Sequence, residues 1–165
     1  MKIAILGYGK MGKVIEEIAL SRGHEIVLRS TEKEPFMSDD LIGADVAIEF
    51  TRPESAVKNF FKTFDAGVPL VTGTTGWYDR FNEVENYCLE QKGAFFHATN
   101  FSLGVNLFFA LNRKLTQLMD NYEDYTASIH ETHHTEKKDA PSGTGITLAE
   151  DLIYESNRYQ DWTDD

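Results

Sequence analysis

The sequence predicts an α/β fold: a Rossmann-type, doubly wound parallel sheet followed by the start of a second, α+β domain. Short β-branched runs alternate with helical patterns, as in a parallel sheet with helices packed on it. A G-x-G-x-x-G motif joins the first such run to the first helical pattern. After Asn121 the composition changes, and apolar residues begin to alternate with polar ones. We therefore expect one domain over residues 1–121 and the incomplete beginning of another over residues 122–165.

The first half of the predicted sheet follows from local patterns. The run KIAIL predicts a strand over Lys2–Leu6, and the pattern behind it predicts a helix over Lys10–Ser21. HEIVL and DVAIEF predict the next two strands, over residues 24–28 and 45–50. A helix is expected over residues 53–67, because it would start with a proline, which suits a first helical turn.

The second half predicts two more strands and a long helix. Strands are expected within residues 68–73 and 93–100, around a helix over residues 79–91. Leucines that recur every four residues predict an amphipathic helix over residues 105–119. We interpret its apolar stripe as core, made of Leu107, Phe108, Leu111, Leu115 and Leu118.

Composition excludes several classes of partner and site. The chain has 16 Lys and Arg against 27 Asp and Glu, for a formal charge of −11, which argues against nucleic acid and anionic membranes as partners. Its single cysteine, Cys88, excludes an internal disulfide, and its position four residues after Val84 indicates a core thiol. Neither a long apolar run nor an apolar leader is present, so we expect a cytoplasmic protein.

The segment HETHH satisfies the zinc motif H-E-x-x-H, with His130 and His134 as candidate ligands and Glu131 as base. That motif needs a helix, on which residues four apart lie within about 6 Å. On a strand the same residues stand about 13 Å apart, because each residue adds about 3.3 Å. The lead-in predicts a strand that runs on to Thr135, since Tyr125, Ala127 and Ile129 alternate with polar residues. We therefore predict no metal site.

The motif GYGKMG indicates a dinucleotide site. Gly7 permits a tight turn, Gly9 lets a pyrophosphate approach the backbone, and Gly12 lets the helix pack close to the sheet. The start of the helix then offers N–H groups and a partial positive charge to phosphates. A glycine-rich turn that binds nothing is the alternative. The domain over residues 1–121 is accordingly predicted to bind NADPH or NADH.

The choice between the two cofactors depends on the end of the second strand. An acidic residue that takes the ribose hydroxyls of NAD is common there, but this sequence has Arg29, followed by Ser30 and Thr31. A guanidinium and hydroxyls suit a 2′-phosphate, so we predict a preference for NADPH. The alternatives are that Arg29 is a solvated residue and that Glu32 or Glu34 takes the NAD role.

Five motifs in order along nearly the whole chain give it a family resemblance. GYGKMG, EFTRPE, VTGTTGW, NFSLGVN and HHTEKKDAPSGTG together resemble dihydrodipicolinate reductase, also called 4-hydroxy-tetrahydrodipicolinate reductase, of the lysine and diaminopimelate pathway. The resemblance implies NAD(P)H-dependent reduction of a cyclic imine dicarboxylate, derived from 4-hydroxy-tetrahydrodipicolinate, to tetrahydrodipicolinate. It also implies a homotetramer for members of full length.

The resemblance also implies site residues. His133 would be catalytic as proton donor or acceptor, and Lys137 would be catalytic as proton donor. The substrate would contact His134, Ser142, Gly143 and Thr144. The cofactor would contact the phosphate loop Gly7, Tyr8, Gly9, Lys10, Met11 and Gly12, the cofactor-side Arg52, the nicotinamide loop Gly73, Thr74 and Thr75, and the hinge Ala98, Thr99, Asn100 and Phe101.

The chemistry of the residues agrees with these roles. Hydride delivery to a C=N carbon leaves electron density on nitrogen, so a proton donor such as His133 or Lys137 must stand close. The substrate's carboxylates need fixed positive charge, and the run His133–Lys138 is the densest cationic stretch of an acidic chain. Ser142 is expected to cap a following helix whose first turn offers N–H groups to an anion.

Each assignment has a plainer alternative. His133 and His134 can be ordinary strand-end histidines, Lys138 is expected to be a solvated charge, and Arg52 can be a surface residue. His24 and His97 are expected to be structural. For the whole chain, the alternatives are a non-catalytic dinucleotide-binding module or another small nicotinamide oxidoreductase. Family members continue well beyond the position of Asp165, so we expect an incomplete substrate domain here, with tetramer formation and activity in doubt.

Overall fold

The computed structural model of the protein describes residues 1–133, 135 and 140–164. These residues form two compact units, Met1–Ala98 and Thr99–Asp165. The division falls earlier than the predicted boundary after Asn121, because the helix that precedes Asn121 packs against a helix of the second unit.

The first unit is a five-stranded parallel sheet. Its strand order is β2-β1-β3-β4-β5, so the chain reverses direction across the sheet between β1 and β3. The strands are β1 (Lys2–Leu6), β2 (Glu25–Ser30), β3 (Val46–Glu49), β4 (Leu70–Thr72) and β5 (Phe95–His97). The connecting helices are α1 (Lys10–Ser21), α2 (Pro53–Asp65) and α3 (Phe81–Glu90), with short 3-10 helices at Ser38–Leu41 and Tyr78–Arg80.

Helices cover both faces of this sheet, as the predicted doubly wound fold requires. Alternate residues of β1 point to opposite faces. Ile3 and Ile5 pack with Ala19 of α1. Ala4 and Leu6 belong to a larger core that contains Phe60 of α2, Val84 and Cys88 of α3, and the buried Trp77. Burial raises the pKa of the Cys88 thiol, in agreement with the core role predicted for this residue.

The second unit contains two packed helices, α4 (Leu103–Met119) and α5 (Gly143–Glu155). Asn112 of α4 donates to the Leu148 carbonyl oxygen of α5 at 3.1 Å, and Arg113 pairs with Asp151 at 3.2 Å. The face of α4 that is buried contains Phe109 and Thr116.

The prediction that the leucine stripe of α4 is core is wrong. Those side chains are half or more exposed: Leu107 62%, Phe108 51%, Leu111 62%, Leu115 55% and Leu118 57%. The physical reason is the rotation of the helix about its axis. A second face contains the buried Phe109 and Thr116 together with Asn112 and Arg113, which bind α5, so the leucines are turned to solvent.

The strand predicted from Tyr125 onwards is also wrong over residues 125–133, which form no β-ladder. Side chains bind this backbone instead. Arg158 donates to the carbonyl oxygens of Tyr122 at 3.0 Å and Tyr125 at 2.6 Å, and the N–H of Ala127 donates to the Tyr159 hydroxyl at 2.9 Å. Alternation makes one face apolar, but a strand also needs a partner strand, and the described part of this unit contains none.

None of the helices in the described ranges is both long and apolar enough to cross a membrane.

Candidate functional site

The phosphate loop lies at the carboxyl end of β1, beside the point where the sheet order reverses. Gly7 has φ +98°, and a Cβ there would lie 2.0 Å from the carbonyl oxygen of Phe50, so the position requires glycine. The N–H groups of Gly7 and Tyr8 donate to the Ser30 carbonyl oxygen at 3.2 and 2.8 Å. These contacts fix the loop between the ends of β1, β2 and β3. Ligands of open α/β sheets bind at such a reversal.

Gly9 and Gly12 have different physical roles in this loop. A Cβ on Gly12 would lie 2.5 Å from the Gly7 carbonyl oxygen, so Gly12 allows α1 to pack against the turn. A Cβ on Gly9 would meet nothing within 4 Å, which leaves open space above the backbone. No side chain in the described chain caps the start of α1, and its first turn carries no acidic residue. The helix dipole there is available to an anionic group.

A cavity of about 270 Å³ adjoins this loop at the same edge of the sheet. It brings together Met11 of the phosphate loop and the predicted nicotinamide loop, with three residues that sequence reasoning missed. Its lining is Met11, Phe50, Thr51, Pro53, Gly73, Thr74 and Thr75. A Cβ on Gly73 would lie 2.1 Å from the Phe50 ring, so glycine lets this ring lie close to the backbone of the β4 loop. The missed residues follow β3 directly, and the carboxyl end of a strand beside a reversal point is the signal that could have identified them.

The side chain of Arg29 lies near the end of β2 and is bound by Glu16 of α1. Its Nε donates to the Glu16 carboxylate at 2.8 Å, and the Tyr8 hydroxyl donates to the other oxygen of that carboxylate. The Arg29 guanidinium carbon lies 5.9 Å from the centre of the Tyr8 ring. Hydrogen bonds from Arg29 and then Tyr8 lower the pKa of Glu16. This trio places a 43% exposed guanidinium beside the phosphate loop, with an anion already attached.

The other residues named for the cofactor's ribose are also engaged. Ser30 is buried, and the Thr31 hydroxyl oxygen accepts from the Glu34 N–H at 3.0 Å. Arg52 forms an exposed ion pair with Glu32 at 3.0 Å.

The predicted hinge falls at the division between the two units. The N–H of Ala98 donates to the Thr72 carbonyl oxygen at 3.3 Å in the first unit. In the second unit, the Thr99 hydroxyl lies 3.2 Å from that of Thr147, and Asn100 accepts from the Ser102 N–H at 2.8 Å. Phe101 is 46% exposed.

The candidate proton-transfer residue His133 lies beside a carboxylate. Its Nε2 is 3.1 Å from Glu131 Oε2, and its side chain is 37% exposed. Such a partner orients an imidazole ring and fixes which of its nitrogens faces the carboxylate. The predicted residues His134 and Lys137, and Lys138 with them, lie outside the described residues.

Glu131 also holds the turn that starts α5. Its carboxylate accepts from the Ser142 N–H at 2.7 Å and from the Ser142 hydroxyl at 2.5 Å. The Ser142 hydroxyl oxygen accepts in turn from the Gly145 N–H at 3.0 Å, which is the predicted helix cap. The hydrogen bonds from Ser142, with a smaller contribution from His133, lower the pKa of Glu131 to about 2. The start of α5, which includes Gly143 and Thr144, therefore already binds one anion of the chain itself, the Glu131 carboxylate.

Residues 130–133 form no helix, the conformation that the H-E-x-x-H zinc motif requires. Among the residues that the structure describes, no group of three or more His, Cys, Asp or Glu could hold a metal ion. Of the remaining histidines, His97 is half-buried among Trp77, Tyr78, Phe81 and Phe95, and burial lowers its pKa.

Comparison with known proteins matches both parts of the chain. Residues 1–101 match the family model described as dihydrodipicolinate reductase, N-terminus, and residues 104–163 match that described as dihydrodipicolinate reductase, C-terminus. A 4-hydroxy-tetrahydrodipicolinate reductase of Christiangramia forsetii is 44% identical over 162 residues, which cover 98% of this chain and 68% of that protein. One of Neisseria meningitidis serogroup C is 34% identical, over 91% of this chain and 63% of that protein.

A solved structure shows the same fold. The dipicolinate-bound dihydrodipicolinate reductase from Paenisporosarcina sp. TG-14 superposes with a TM-score of 0.70 at 23% identity, over 99% of this chain and 69% of that one. The N-terminal domain of this family binds a nicotinamide dinucleotide. The chain thus belongs to the dihydrodipicolinate reductase family, whose members are NAD(P)H-dependent oxidoreductases of lysine and diaminopimelate biosynthesis.

Proposed function

We propose that this chain uses NAD(P)H to reduce the cyclic imine derived from 4-hydroxy-tetrahydrodipicolinate, with tetrahydrodipicolinate as product. The observation that carries the proposal is the open, uncapped phosphate loop, which adjoins a cavity lined by Met11 and Gly73–Thr75 at the same sheet edge. Because the chain belongs to the dihydrodipicolinate reductase family, we assign the reaction of that family to this dinucleotide site.

The residues of the first unit fit a nicotinamide dinucleotide. The space above Gly9 and the amides at the start of α1 suit a pyrophosphate, which needs close backbone approach and positive charge. The adjoining cavity of about 270 Å³ suits the nicotinamide ring, with Thr51, Thr74 and Thr75 as polar groups on its walls. When bound, the nicotinamide supplies a hydride.

In this proposal, His133 and Lys137 handle the proton that the reaction needs. The hydride adds to the imine carbon, and the electron pair of the C=N bond moves to nitrogen, which then takes a proton from a donor. A lysine ammonium and an imidazolium can both donate near neutral pH. The Glu131 carboxylate, 3.1 Å from Nε2 of His133, supports the assignment of His133 because it holds the ring in one orientation.

We assign the substrate's carboxylate to His134 and the start of α5. The N–H and hydroxyl of Ser142 already donate to Glu131. The substrate carboxylate is therefore assigned to the next two residues, Gly143 and Thr144. Ser142 then acts through the shape of the turn, which its bonds to Glu131 and Gly145 hold.

Variants of the proton-handling residues test this proposal. NADPH oxidation is followed while the preceding synthase makes the unstable substrate in place from pyruvate and aspartate semialdehyde. His133→Ala and Lys137→Ala should each lower turnover by about 100-fold or more, while NADPH binding by fluorescence is kept. Unchanged turnover in both variants would overturn the catalytic assignment. Wild-type protein that binds NADPH without turning over would favour the non-catalytic binding module instead.

We further propose that NADPH is preferred to NADH. Support comes from the exposed guanidinium of Arg29 beside the phosphate loop, and from the pairing of Glu32 with Arg52, which occupies one candidate acceptor for ribose hydroxyls. Glu16 opposes the preference, since a 2′-phosphate must approach its carboxylate.

Dissociation constants for both cofactors test the preference. Arg29→Ala should weaken NADPH binding by about tenfold and leave NADH binding nearly unchanged. Arg22→Ala, which removes the same charge at the other end of α1, is the control and should change neither constant. Equal affinities of the wild-type protein for NADPH and NADH would rule the preference out.

A further inference from the structure

Glu49 is a fully buried acidic residue that the reaction described above does not use. It is the last residue of β3, its exposed fraction is 0%, and Thr72 at the end of β4 is equally buried. A carboxyl group in a core is costly unless hydrogen bonds satisfy it. Its place one residue before the cavity-lining pair Phe50 and Thr51 raises the question of what it holds.

Both oxygens of the Glu49 carboxyl group are engaged by threonine hydroxyls. One accepts from the Thr51 hydroxyl, and the other accepts from the Thr72 hydroxyl at 2.5 Å. The Thr72 hydroxyl oxygen accepts in turn from the Thr74 N–H at 3.1 Å. The Thr74 hydroxyl oxygen accepts from the Thr51 N–H at 2.8 Å. These four residues form a closed ring of hydrogen bonds between the ends of two neighbouring strands.

The ring fixes two walls of the cavity. Thr51 and Thr74 line it from the two sides, and both are bound to each other and, directly or through Thr72, to Glu49. Glu49 itself does not line the cavity. It can therefore act on a ligand only through the threonines, as a positioning residue.

We propose that Glu49 positions Thr51 and Thr74 for the nicotinamide half of the cofactor. The carboxyl group holds the Thr51 hydroxyl directly, and it holds Thr74 through the Thr72 hydroxyl, which accepts from the Thr74 N–H. In this way Glu49 sets the width of the cavity between the β3 and β4 loops. The adenine half, which the phosphate loop and the end of β2 receive, should not depend on this ring. The inference rests on the proposed cofactor site.

The test compares a whole cofactor with its adenine half. NADPH and adenosine 2′,5′-bisphosphate are titrated separately against wild-type protein and Glu49→Gln. Gln places an N–H₂ group where one threonine hydroxyl now donates, so the ring must rearrange. We expect NADPH binding to weaken by about tenfold and bisphosphate binding to stay within about twofold. A general loss of structure would weaken both ligands together.

Thr72 supplies a second variant with a matched control. Thr72→Val removes the hydroxyl that joins Glu49 to Thr74, and Thr72→Ser restores it. Thr63→Val makes the same change at an equally buried threonine, whose hydroxyl donates to the Asn59 carbonyl oxygen within α2. Thr72→Val should reproduce the selective loss of NADPH affinity, while Thr72→Ser and Thr63→Val should not. If Glu49→Gln does not fold, the comparison of Thr72→Val with Thr72→Ser and Thr63→Val tests the role of Glu49 instead.

Two results would overturn the inference, and they differ. Wild-type protein that binds neither NADPH nor NADH would remove the proposed function, and the role of Glu49 with it. If the wild-type protein binds NADPH and a folded Glu49→Gln or Thr72→Val variant binds it with the same affinity, the role of Glu49 alone would be removed.

Discussion

The glycines of the phosphate loop show how one motif contains residues with separate tasks. Gly7 and Gly12 are needed because a Cβ would collide with backbone at 2.0 and 2.5 Å. Gly9 is exposed and meets no such limit, so its task concerns what approaches from outside. The motif predicts this division of tasks from the sequence, and the distances agree with it.

Alanine at Gly9 should therefore separate binding from folding. We expect Gly9→Ala to change the free energy of unfolding by no more than about 0.5 kcal/mol, because the site is open. NADPH affinity should fall by about tenfold or more, because the methyl group takes the space of the pyrophosphate. Gly7→Ala is the comparison and should cost about 3 kcal/mol or more, from its positive φ and the collision with Phe50. Urea unfolding and NADPH fluorescence titration measure the two effects, and unchanged affinity in Gly9→Ala would contradict the phosphate site.

The carboxyl group of Glu131 makes the free energy of unfolding depend on pH in the acid range. Its pKa is about 2, against an ordinary value of 4.5, because Ser142 donates to the ionised form. A carboxyl with a lowered folded-state pKa contributes stability that is complete above the ordinary value and disappears as pH falls through the lowered one.

The free energy of unfolding should show this window when wild-type protein is compared with Glu131→Gln. We expect wild type to be more stable by a constant margin above pH 4.5, and the margin to shrink between pH 4.5 and about 2. Urea unfolding across this range measures it. A margin that does not vary with pH would show that Glu131 acts through its shape and not its charge.

At the scale of elements, the ends of helices were easier to predict than their faces. Ser142 was expected to cap a helix and does so for α5, since a serine before G-T-G is a local signal. The outward face of α4 and the missing strand at 125–133 depend on partners far away in sequence. Periodicity identifies an apolar face without telling what it packs against.

The cap of α5 should be worth more than that of α4. Ser142→Ala removes the hydroxyl that caps Gly145 and donates to Glu131, while the backbone N–H of residue 142 still donates to Glu131, and should cost about 2 kcal/mol. Ser102→Ala removes a 3.5 Å cap at the exposed start of α4 and should cost only about 0.5 kcal/mol. Thermal unfolding of both variants tests this order. Equal costs would mean that Glu131 adds nothing to the cap.

At the scale of the whole molecule, the sequence predicted the parallel sheet and its cofactor edge, since each strand and the glycine motif are local features. It did not reveal the buried ring around Glu49. The signal was present, because period-two alternation in β3 places Glu49 on the same buried face as Ala47. An acidic residue at a strand end is usually exposed, however, and only the threonine partners make its burial favourable.

The surroundings of His133, the candidate proton-transfer residue, could be predicted less well than the cofactor edge. His133 and Glu131 lie in a stretch without regular structure, so no periodic pattern predicts that one orients the other. The Glu131 carboxylate also accepts from Ser142, which lies beyond it in the sequence at the start of α5, and no local pattern predicts that contact either.

The most direct test of the whole account is NADPH oxidation by the wild-type chain, with substrate made in place from pyruvate and aspartate semialdehyde. We predict oxidation that starts only when the synthase and both of its substrates are present, and that rises in proportion to the concentration of this protein. Oxidation no faster than in the sample without the protein, with NADPH binding confirmed in the same preparation, would contradict the claim that the chain is a reductase.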